Sequence, residues 1–300
     1  MRLLFILLQL LPMLPLCAQS TVALVWETDR SGVFTGATSA TATAAGAKVS
    51  NHAGLTIVRA GVEGEWGNFI LDTGAPGLVL NAAPSDRANR RAVGLFGACA
   101  GDTQLVRRFA WQGTVYENVA ALRIDLSGIE KRIGIPLKGL FGYDQLRKHV
   151  LQLDLSNERL LLNPDKARLR GKAMRLNDRA RLPIVRVKIN GRTYRFGIDS
   201  GASVNVLSER LHRRLSAEDC RLLGSRNVCG VGQQRTLLPV VALEGLQIGG
   251  IPEPATTLCV TDLQAFERDH GLRLDGILGR PFLERHVVTI DYPARRVWVE

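Results

Sequence analysis

The chain has 300 residues, 46% of them hydrophobic and 22% charged, with a net charge of +11 at pH 7. This length and apolar content suffice for two compact lobes that each bury a core. Aromatic residues make up only 6%. Because nucleic-acid surfaces interleave aromatic with basic side chains, we expect no nucleic-acid partner. The basic charge suits solvated faces and attraction to an anionic cell surface or to acidic substrates.

The N-terminus has the pattern of a secretory signal. Arg2 precedes an apolar run that extends to Leu16, and cleavage is predicted after Ala18. The run is shorter than a bilayer-spanning helix usually is. We therefore predict a signal peptide at residues 1–18 and an exported protein, periplasmic or secreted. Lipid attachment at Cys17 is the alternative.

Residues 19–54 form a predicted N-terminal extension. Its early part, Val22–Trp26, is expected to add strands to a sheet shared by the lobes. The Ala/Thr/Gly-rich part, residues 35–47, is expected to form a flexible loop. A removable propeptide is the competing interpretation.

Two short segments, Phe69–Ala75 and Phe196–Ala202, are nearly alike. Each ends an apolar, strand-like run with an aspartate, a small hydroxyl residue, a glycine and an alanine. The aspartates are 127 residues apart (199 − 72), and the same offset aligns the hairpin pattern from Leu55 with the one from Leu182. One such motif is weak evidence, but two in matching surroundings indicate an internal repeat.

A second matched pair follows the aspartates. Leu140–Gly142 and Ile277–Gly279 each consist of two apolar residues and a glycine, and His149 and His286 begin matching strand–turn–strand patterns. The offset here is 137 (279 − 142), ten more than before, so the second unit has gained residues. We expect both histidines to be structural, because neither has a serine or cysteine partner motif.

Short strands separated by 30 glycines and 12 prolines favour an all-β chain with few short helices. Helices are predicted only over residues 143–147, 208–215 and 263–270. The predicted units are a first lobe at 55–165, a linker at 166–180 and a second lobe at 181–300.

Four cysteines remain after removal of the signal, and an even number in an exported chain favours disulfides. We predict a disulfide between Cys220 and Cys259, with Cys99 and Cys229 either paired or free. Neither Cys-x-x-Cys nor His-Glu-x-x-His occurs, so no metal site is predicted.

These motifs resemble those of the aspartic peptidases, in which Asp-Thr/Ser-Gly recurs in two lobes or two subunits. Asp72–Ala75 and Asp199–Ala202 resemble the catalytic motif. Leu140–Gly142 and Ile277–Gly279 resemble the motif that supports each catalytic loop. The resemblance spans about residues 55–300, and it implies two homologous retropepsin-like β-barrel lobes with a catalytic cleft between them.

The resemblance also implies a function: an aspartic endopeptidase in which a water activated by Asp72 and Asp199 attacks the peptide bond of a peptide or protein substrate. No cofactor or metal is implied. One chain contributes both aspartates, so we expect a monomer. The residues implied to support the catalytic loops are Thr73, Gly74, Ala75, Ser200, Gly201, Ala202, Gly142 and Gly279.

In this family mobile hairpins, or flaps, cover the cleft, and glycines in Gly94–Gly101 and Val228–Gln233 suit that role. Neither segment has the tyrosine of the pepsin flap, and Pro76 leaves the geometry of the first loop open. The predicted flap residues are Cys99, Ala100, Gly101, Gly230, Val231 and Gly232.

Ala75 and Ala202 stand where pepsin-like enzymes often carry a hydroxyl that lowers the carboxyl pKa, so a less acidic optimum than that of pepsin is predicted. Three alternatives remain. In the first, Asp72 and Asp199 are turn residues only. In the second, the chain is a weak or inactive peptide-binding protein of the same fold. In the third, it is a glycosidase whose two acids stand roughly 5 to 9 Å apart.

Overall fold

The computed structural model describes residues 26–27, 47–82, 90–94, 97–230 and 235–300. The predicted signal peptide and most of the predicted extension lie outside these ranges. Within them the chain consists mainly of β-strands of two to 15 residues and of five α-helices of four to seven residues. The predicted all-β class with few short helices is therefore confirmed. No helix in these ranges is long and apolar enough to cross a bilayer.

The described elements fall into two halves. Those of the first half are β1 (Trp26–Glu27), β2 (Ala47–Lys48), β3 (Ser50–His52), β4 (Leu55–Val62), β5 (Glu65–Leu71), β6 (Leu78–Asn81), β7 (Arg90–Gly94), β8 (Gly97–Trp111), β9 (Thr114–Ile124), α1 (Ser127–Ile133), β10 (Gly139–Phe141), α2 (Tyr143–Leu146), β11 (Val150–Asp154) and β12 (Arg159–Leu162).

Those of the second half are β13 (Met174–Arg175), β14 (Ile184–Ile189), β15 (Arg192–Ile198), β16 (Val206–Ser208), α3 (Glu209–His212), β17 (Cys220–Cys229), β18 (Arg235–Leu243), β19 (Leu246–Ile248), β20 (Ile251–Pro252), β21 (Thr256–Thr261), α4 (Gln264–His270), β22 (Gly276–Leu278), α5 (Arg280–Leu283), β23 (Val287–Asp291) and β24 (Arg296–Val299).

The first lobe is a closed β-barrel. Strand β4 pairs with β5 on one side and with β8 on the other, and the order β4, β5, β10, β6, β9, β8 completes the ring. At the β4–β5 turn, Glu63 and Gly64 both have positive φ (50° and 89°), as in the two-residue turns that match strand twist. This turn fixes the register in which β5 delivers Asp72 to the end of the barrel.

The second lobe has the same arrangement. Strand β14 pairs with β15 and β19, and the order β14, β15, β22, β16, β21, β18 returns to β14 through β19, which follows β18 in the chain. Corresponding strand pairs of the two lobes have the same register, and their residues are related by the sequence offsets of 127 and 137. Val79 faces Leu122 in the first lobe, and Val206, 127 residues later, faces Cys259, 137 residues later.

A six-stranded sheet joins the lobes, in the order β13, β24, β23, β11, β12, β2. At its centre Gln152 of β11 faces Thr289 of β23, and the Gln152 Nε2 donates to Thr289 Oγ1 at 2.9 Å. These two residues are themselves 137 apart in sequence. An approximate two-fold axis that relates the lobes therefore passes between them.

The buried core is continuous across the lobes. One cluster includes Phe69 and Phe141 of the first barrel, Ile198 of the second, and Leu153 and Val288 of the shared sheet, all fully buried. Because the cluster spans all three sheets, the barrels are packed as one body beneath the ends of β5 and β15.

Two corrections concern secondary structure. Trp26 was predicted to join the shared sheet, but β1 pairs with β17 of the second lobe, and the strand that joins the shared sheet is β2, paired with β12. The predicted helices over 143–147, 208–215 and 263–270 correspond to α2, α3 and α4, whereas α1 and α5 were not predicted. Each contains a residue that disfavours a helix, Gly128 in α1 and Pro281 in α5.

The predicted disulfide between Cys220 and Cys259 is wrong, because strand β18 lies between them. Cys220 faces Leu243 across one edge of β18, and Cys259 faces Val240 across the other. Two strand spacings, about 9.5 Å, exceed the roughly 7 Å that a disulfide tolerates between Cα atoms. Cys229 forms no disulfide within the described part either, and the side chain of Cys99 lies outside that part.

Candidate active site

The two predicted aspartates occupy the same place in each barrel, immediately after a buried strand. Strand β5 ends at Leu71 and β15 ends at Ile198. The backbone N–H of Asp72 donates to the Phe141 carbonyl, and that of Asp199 donates to the Leu278 carbonyl, both at 3.0 Å. Parallel pairing with β10 and β22 thus fixes where each loop begins.

Both aspartate carboxyls are fully buried. The N–H of Gly74 donates to Asp72 Oδ1 at 2.8 Å, and the N–H of Gly201 donates to Asp199 Oδ1 at 2.8 Å. The second oxygen of each carboxyl, Oδ2, has no hydrogen-bond partner among the described groups other than the facing carboxyl. One oxygen of each carboxyl is therefore held by the backbone and the other is not.

The two carboxyls face each other across the lobes. A Cβ placed on Gly74 would lie 2.6 Å from the Asp199 Cγ, and one on Gly201 would lie 2.5 Å from the Asp72 Cγ. Each glycine therefore packs directly against the carboxyl of the opposite loop. Only glycine permits this approach, which explains its place in both motifs.

Thr73 and Ser200 tie the two loops together through four buried hydrogen bonds. The Ser200 hydroxyl accepts from the Thr73 N–H at 3.1 Å and donates to the Leu71 carbonyl at 2.7 Å. The Thr73 hydroxyl accepts from the Ser200 N–H at 3.0 Å and donates to the Ile198 carbonyl at 2.8 Å. We refer to these four bonds as the reciprocal brace.

Gly142 and Gly279 lie directly beneath the loops. A Cβ on Gly142 would lie 2.2 Å from the Ala75 carbonyl oxygen, and one on Gly279 would lie 2.7 Å from that of Ala202. These glycines let β10 and β22 pass close under the catalytic loops, and the next residue in each case donates its N–H to the same carbonyl, at 2.8 Å and 2.7 Å.

Pro76 does not disturb the first loop. The Ala75 N–H bonds the Asp72 carbonyl at 3.1 Å, and the corresponding Ala202 bond to Asp199 is 3.3 Å. The Pro76 carbonyl accepts from the N–H of Asp144 at 3.2 Å. The two loops therefore share one geometry, and the question that the sequence left open about Pro76 is resolved.

Burial dominates the electrostatics of the pair. It raises the pKa of both carboxyls, and the charge of Asp72 raises the pKa of Asp199 further. The loop N–H groups oppose this shift only in part. Since two adjacent buried carboxyls cannot both ionise readily, the pair retains one shared proton over a wide range of pH.

The predicted flap residues are described only in part. Cys99, Ala100 and Gly101 belong to β8 and pair with β7, and residues 95–96 lie outside the described part. Gly230 is buried at the end of β17. Val231 and Gly232 also lie outside the described residues, so their role in a flap stays a prediction.

Two links between the lobes were not predicted. The Tyr143 hydroxyl, after the first supporting glycine, donates to Asp178 Oδ2 at 3.0 Å at the entrance to the second barrel. Arg280, after the second glycine, is buried and donates to Thr56 Oγ1 of the first barrel at 3.3 Å. Tyr143 and Arg280 are related by the offset of 137, and this offset is the sequence feature from which the two links could have been predicted.

The two histidines occupy corresponding places away from the loops. A ring nitrogen of His149 lies 2.9 Å from the Tyr116 hydroxyl, and His286 Nε2 lies 2.7 Å from Glu253 Oε1. These contacts suit structural roles. Among the described residues, no group of three or more His, Cys, Asp or Glu side chains is placed to hold a metal ion.

Comparison with known proteins gives a family match over part of the chain and a similarity to a solved structure. Residues 185–282 match the aspartyl protease family, and this range includes Asp199. No curated protein matches the chain. Among solved structures, the chain is similar to an aspartic proteinase from Irpex lacteus, with 14% identity, a TM-score of 0.46 and coverage of 84% of this chain and 96% of that one. The family match supports an aspartic peptidase family and a peptidase function in general.

The reciprocal brace predicts a large effect of Ser200→Ala. The change removes two hydrogen bonds and leaves the buried Thr73 N–H and Leu71 carbonyl unpaired, so we expect a loss of about 2–5 kcal/mol in the free energy of unfolding. Urea unfolding measures it. Ser200→Thr retains the hydroxyl, as at position 73, and is the matched control. Equal losses in the two variants would contradict a role for the hydroxyl.

The buried carboxyls predict that Asp199→Asn stabilises the protein at neutral pH. A raised pKa means that the folded chain holds a proton that the unfolded chain has lost. Stability therefore falls as pH rises from the ordinary carboxyl pKa, about 4, towards the raised value.

We expect Asp199→Asn to gain at most about 1.4 kcal/mol for each pH unit between the ordinary carboxyl pKa and pH 7, and to show a smaller gain at pH 4. Urea unfolding at the two pH values measures the difference. Asp165→Asn, at an exposed carboxyl, serves as the control. A gain that does not change with pH would refute this account.

Proposed function

We propose that the protein is an aspartic endopeptidase that hydrolyses peptide bonds with a water activated by Asp72 and Asp199. The observation that carries the proposal is the pair of fully buried carboxyls held against opposite loops by Gly74 and Gly201. A buried pair that shares one proton supplies a base and an acid at the same place.

The proposed reaction needs one ionised and one protonated carboxyl. The ionised member takes a proton from the water, whose oxygen attacks the peptide carbonyl carbon. The protonated member donates to the carbonyl oxygen. In the second step the protonated carboxyl donates to the nitrogen, the carbon–nitrogen bond breaks, and the ionised carboxyl takes a proton from a hydroxyl of the intermediate, so that the products are a carboxylic acid and an amine. The carboxyl pair then again holds a single proton.

The reciprocal brace supports this role because it fixes the relative position of the two loops. The hydroxyls of Thr73 and Ser200 each form two hydrogen bonds with the opposite loop. One is to the carbonyl of the residue before the aspartate, and the other is to the N–H of the residue after it. Movement of one lobe relative to the other would break these buried bonds. The base and the acid are thereby held in place before substrate binds, which is what proximity catalysis requires.

The other parts of the proposal come from the sequence alone. We propose export through residues 1–18 and a peptide or protein substrate. We also propose a monomer, since one chain contributes both aspartates, and an association of its basic surface with an anionic cell surface. The alternative is a weak or inactive peptide-binding protein of the same fold.

The direct test is cleavage of a random peptide library. We expect Asp72→Asn and Asp199→Asn each to abolish cleavage, because either change removes the acid–base pair. Asp165→Asn should retain full activity. An inactive wild type that still binds peptides would favour the binding-protein alternative. Cleavage that survives either substitution, or release of sugar from a glycan library, would refute the mechanism.

The alanines that follow the motifs predict the pH dependence. The N–H of Ala202 already lowers the pKa of Asp199, and a hydroxyl at this position would add a second donor to the ionised form. We expect the acid limb of the kcat/KM profile to lie above the ordinary carboxyl pKa of about 4.

We further expect Ala202→Ser to move that limb to lower pH. Profiles of kcat/KM against pH for both proteins measure the shift. Ala180→Ser, outside the loops, is the control and should leave the profile unchanged. A shift to higher pH in Ala202→Ser would contradict the argument.

A further inference from the structure

A groove of about 700 Å³ lies on the second lobe, away from the aspartate loops. It opens between the segment that contains β13 and strand β14. These two meet at a single bridge, where Asn177 and Ile184 exchange backbone hydrogen bonds of 2.9 Å. Beyond the bridge they diverge, and the groove occupies the space between them.

The groove is strongly basic. Of the described residues that line it, the one carboxylate is Asp178, which is buried and already bonded by Tyr143 at 3.0 Å and by Arg295 at 3.5 Å. Six other cationic side chains line the groove and form no salt bridge within the described chain: Lys172, Arg175, Arg179, Arg186, Lys188 and Arg195.

Two of these cations face each other directly. Arg186 of β14 lies opposite Arg195 of β15. The N–H and carbonyl of Arg195 both bond Asp275, on the side away from β14. The two arginines therefore form a non-hydrogen-bonded pair, in which Cα atoms stand only about 4.5 Å apart. Like charges in this position destabilise a sheet, and a bound anion would relieve the repulsion.

The groove also exposes backbone groups of β14 that can form hydrogen bonds with a ligand. Ile184 directs its N–H and carbonyl to Asn177, and by the two-residue period of a strand Arg186 directs its own to the same edge. Among the described strands, β19 joins this edge only at Lys188 and Ile189. The Arg186 backbone groups therefore face the groove as an unpaired strand edge, which an extended peptide recognises.

The floor is apolar, and the groove continues beyond β13. Leu176 and Ile184 are buried beneath it. A second hollow of about 510 Å³ shares Met174, Arg175 and Arg295 with the first. An elongated ligand with anionic groups on one side and apolar groups on the other matches this surface.

We propose that this groove binds an extended acidic segment of a polypeptide. Its carboxylates pair with Arg186 and Arg195, and its backbone pairs with that of Arg186. Guanidinium groups bind carboxylates through two parallel hydrogen bonds, which adds geometric specificity to the attraction. The unpaired strand edge favours a peptide over a polysaccharide or a lipid headgroup. The inference does not depend on proteolysis.

Fluorescence anisotropy tests the proposal with an eight-residue labelled peptide of alternating Glu and Val. The protein carries Asp72→Asn so that cleavage cannot interfere. We expect binding that weakens about tenfold when Arg186→Gln and Arg195→Gln are combined. Arg214→Gln with Arg221→Gln, which removes two exposed charges elsewhere, should change the Kd less than twofold. A Gln/Val peptide should bind at least about tenfold more weakly than the Glu/Val peptide.

A charge reversal gives a second, independent readout. Arg186→Glu replaces the facing like charges by an ion pair with Arg195. It should therefore raise the melting temperature at low salt while abolishing binding of the Glu/Val peptide. A lower melting temperature would contradict the inference that Arg186 and Arg195 repel each other. It is the result expected if Arg186 only stabilises the fold.

Three results would overturn the proposal. The first is no binding of the acidic peptide by the parent protein. The second is equal weakening in the Arg214/Arg221 control, which would indicate attraction to the overall charge. The third is Arg186- and Arg195-dependent binding of a sulfated oligosaccharide or of anionic phospholipid vesicles, with no such dependence for the peptide.

Discussion

The structure depends on bringing two ionisable groups together where both are fully buried. Buried carboxyls that face each other repel when ionised, so their positions must be imposed by stronger local forces. The Thr73–Ser200 bonds supply that constraint, since each hydroxyl satisfies two buried backbone groups that would otherwise be unpaired. The barrels, the supporting glycines and the shared sheet all serve to bring these loops into register.

The interlobe sheet and the brace act at opposite ends of one core. Gln152 and Thr289 mark the symmetry axis in the sheet, and the two loops lie above the same core cluster. Tyr143 and Arg280 extend the link, because each leaves its own lobe to bond the other. The relative position of the two aspartates is therefore fixed by contacts on several levels, which a site confined to one loop could not provide.

The all-β class could be predicted from the strand patterns, and the pairing of the two aspartate loops from two offsets, 127 and 137, which are independent of any detail of packing. A residue type repeated at a fixed distance is visible without knowing which strands are neighbours. The Cys220–Cys259 pairing failed for the opposite reason. It depended on strand order, and β18 separates those two strands. The basic groove was likewise beyond the sequence, because it arises where β13 diverges from β14 and brings together cations that are scattered along the chain.

The two halves of the site correspond, but they are not identical. Thr73 stands opposite Ser200, Pro76 corresponds to Ser203, and Tyr143 corresponds to Arg280. A site made of two identical halves offers the same surroundings to a ligand in either of two orientations. Here the surroundings differ. A polypeptide chain has direction, so its two orientations at the proposed peptidase site would have unequal free energies. The joining of two unequal units in one chain thus gives the proposed site a polarity.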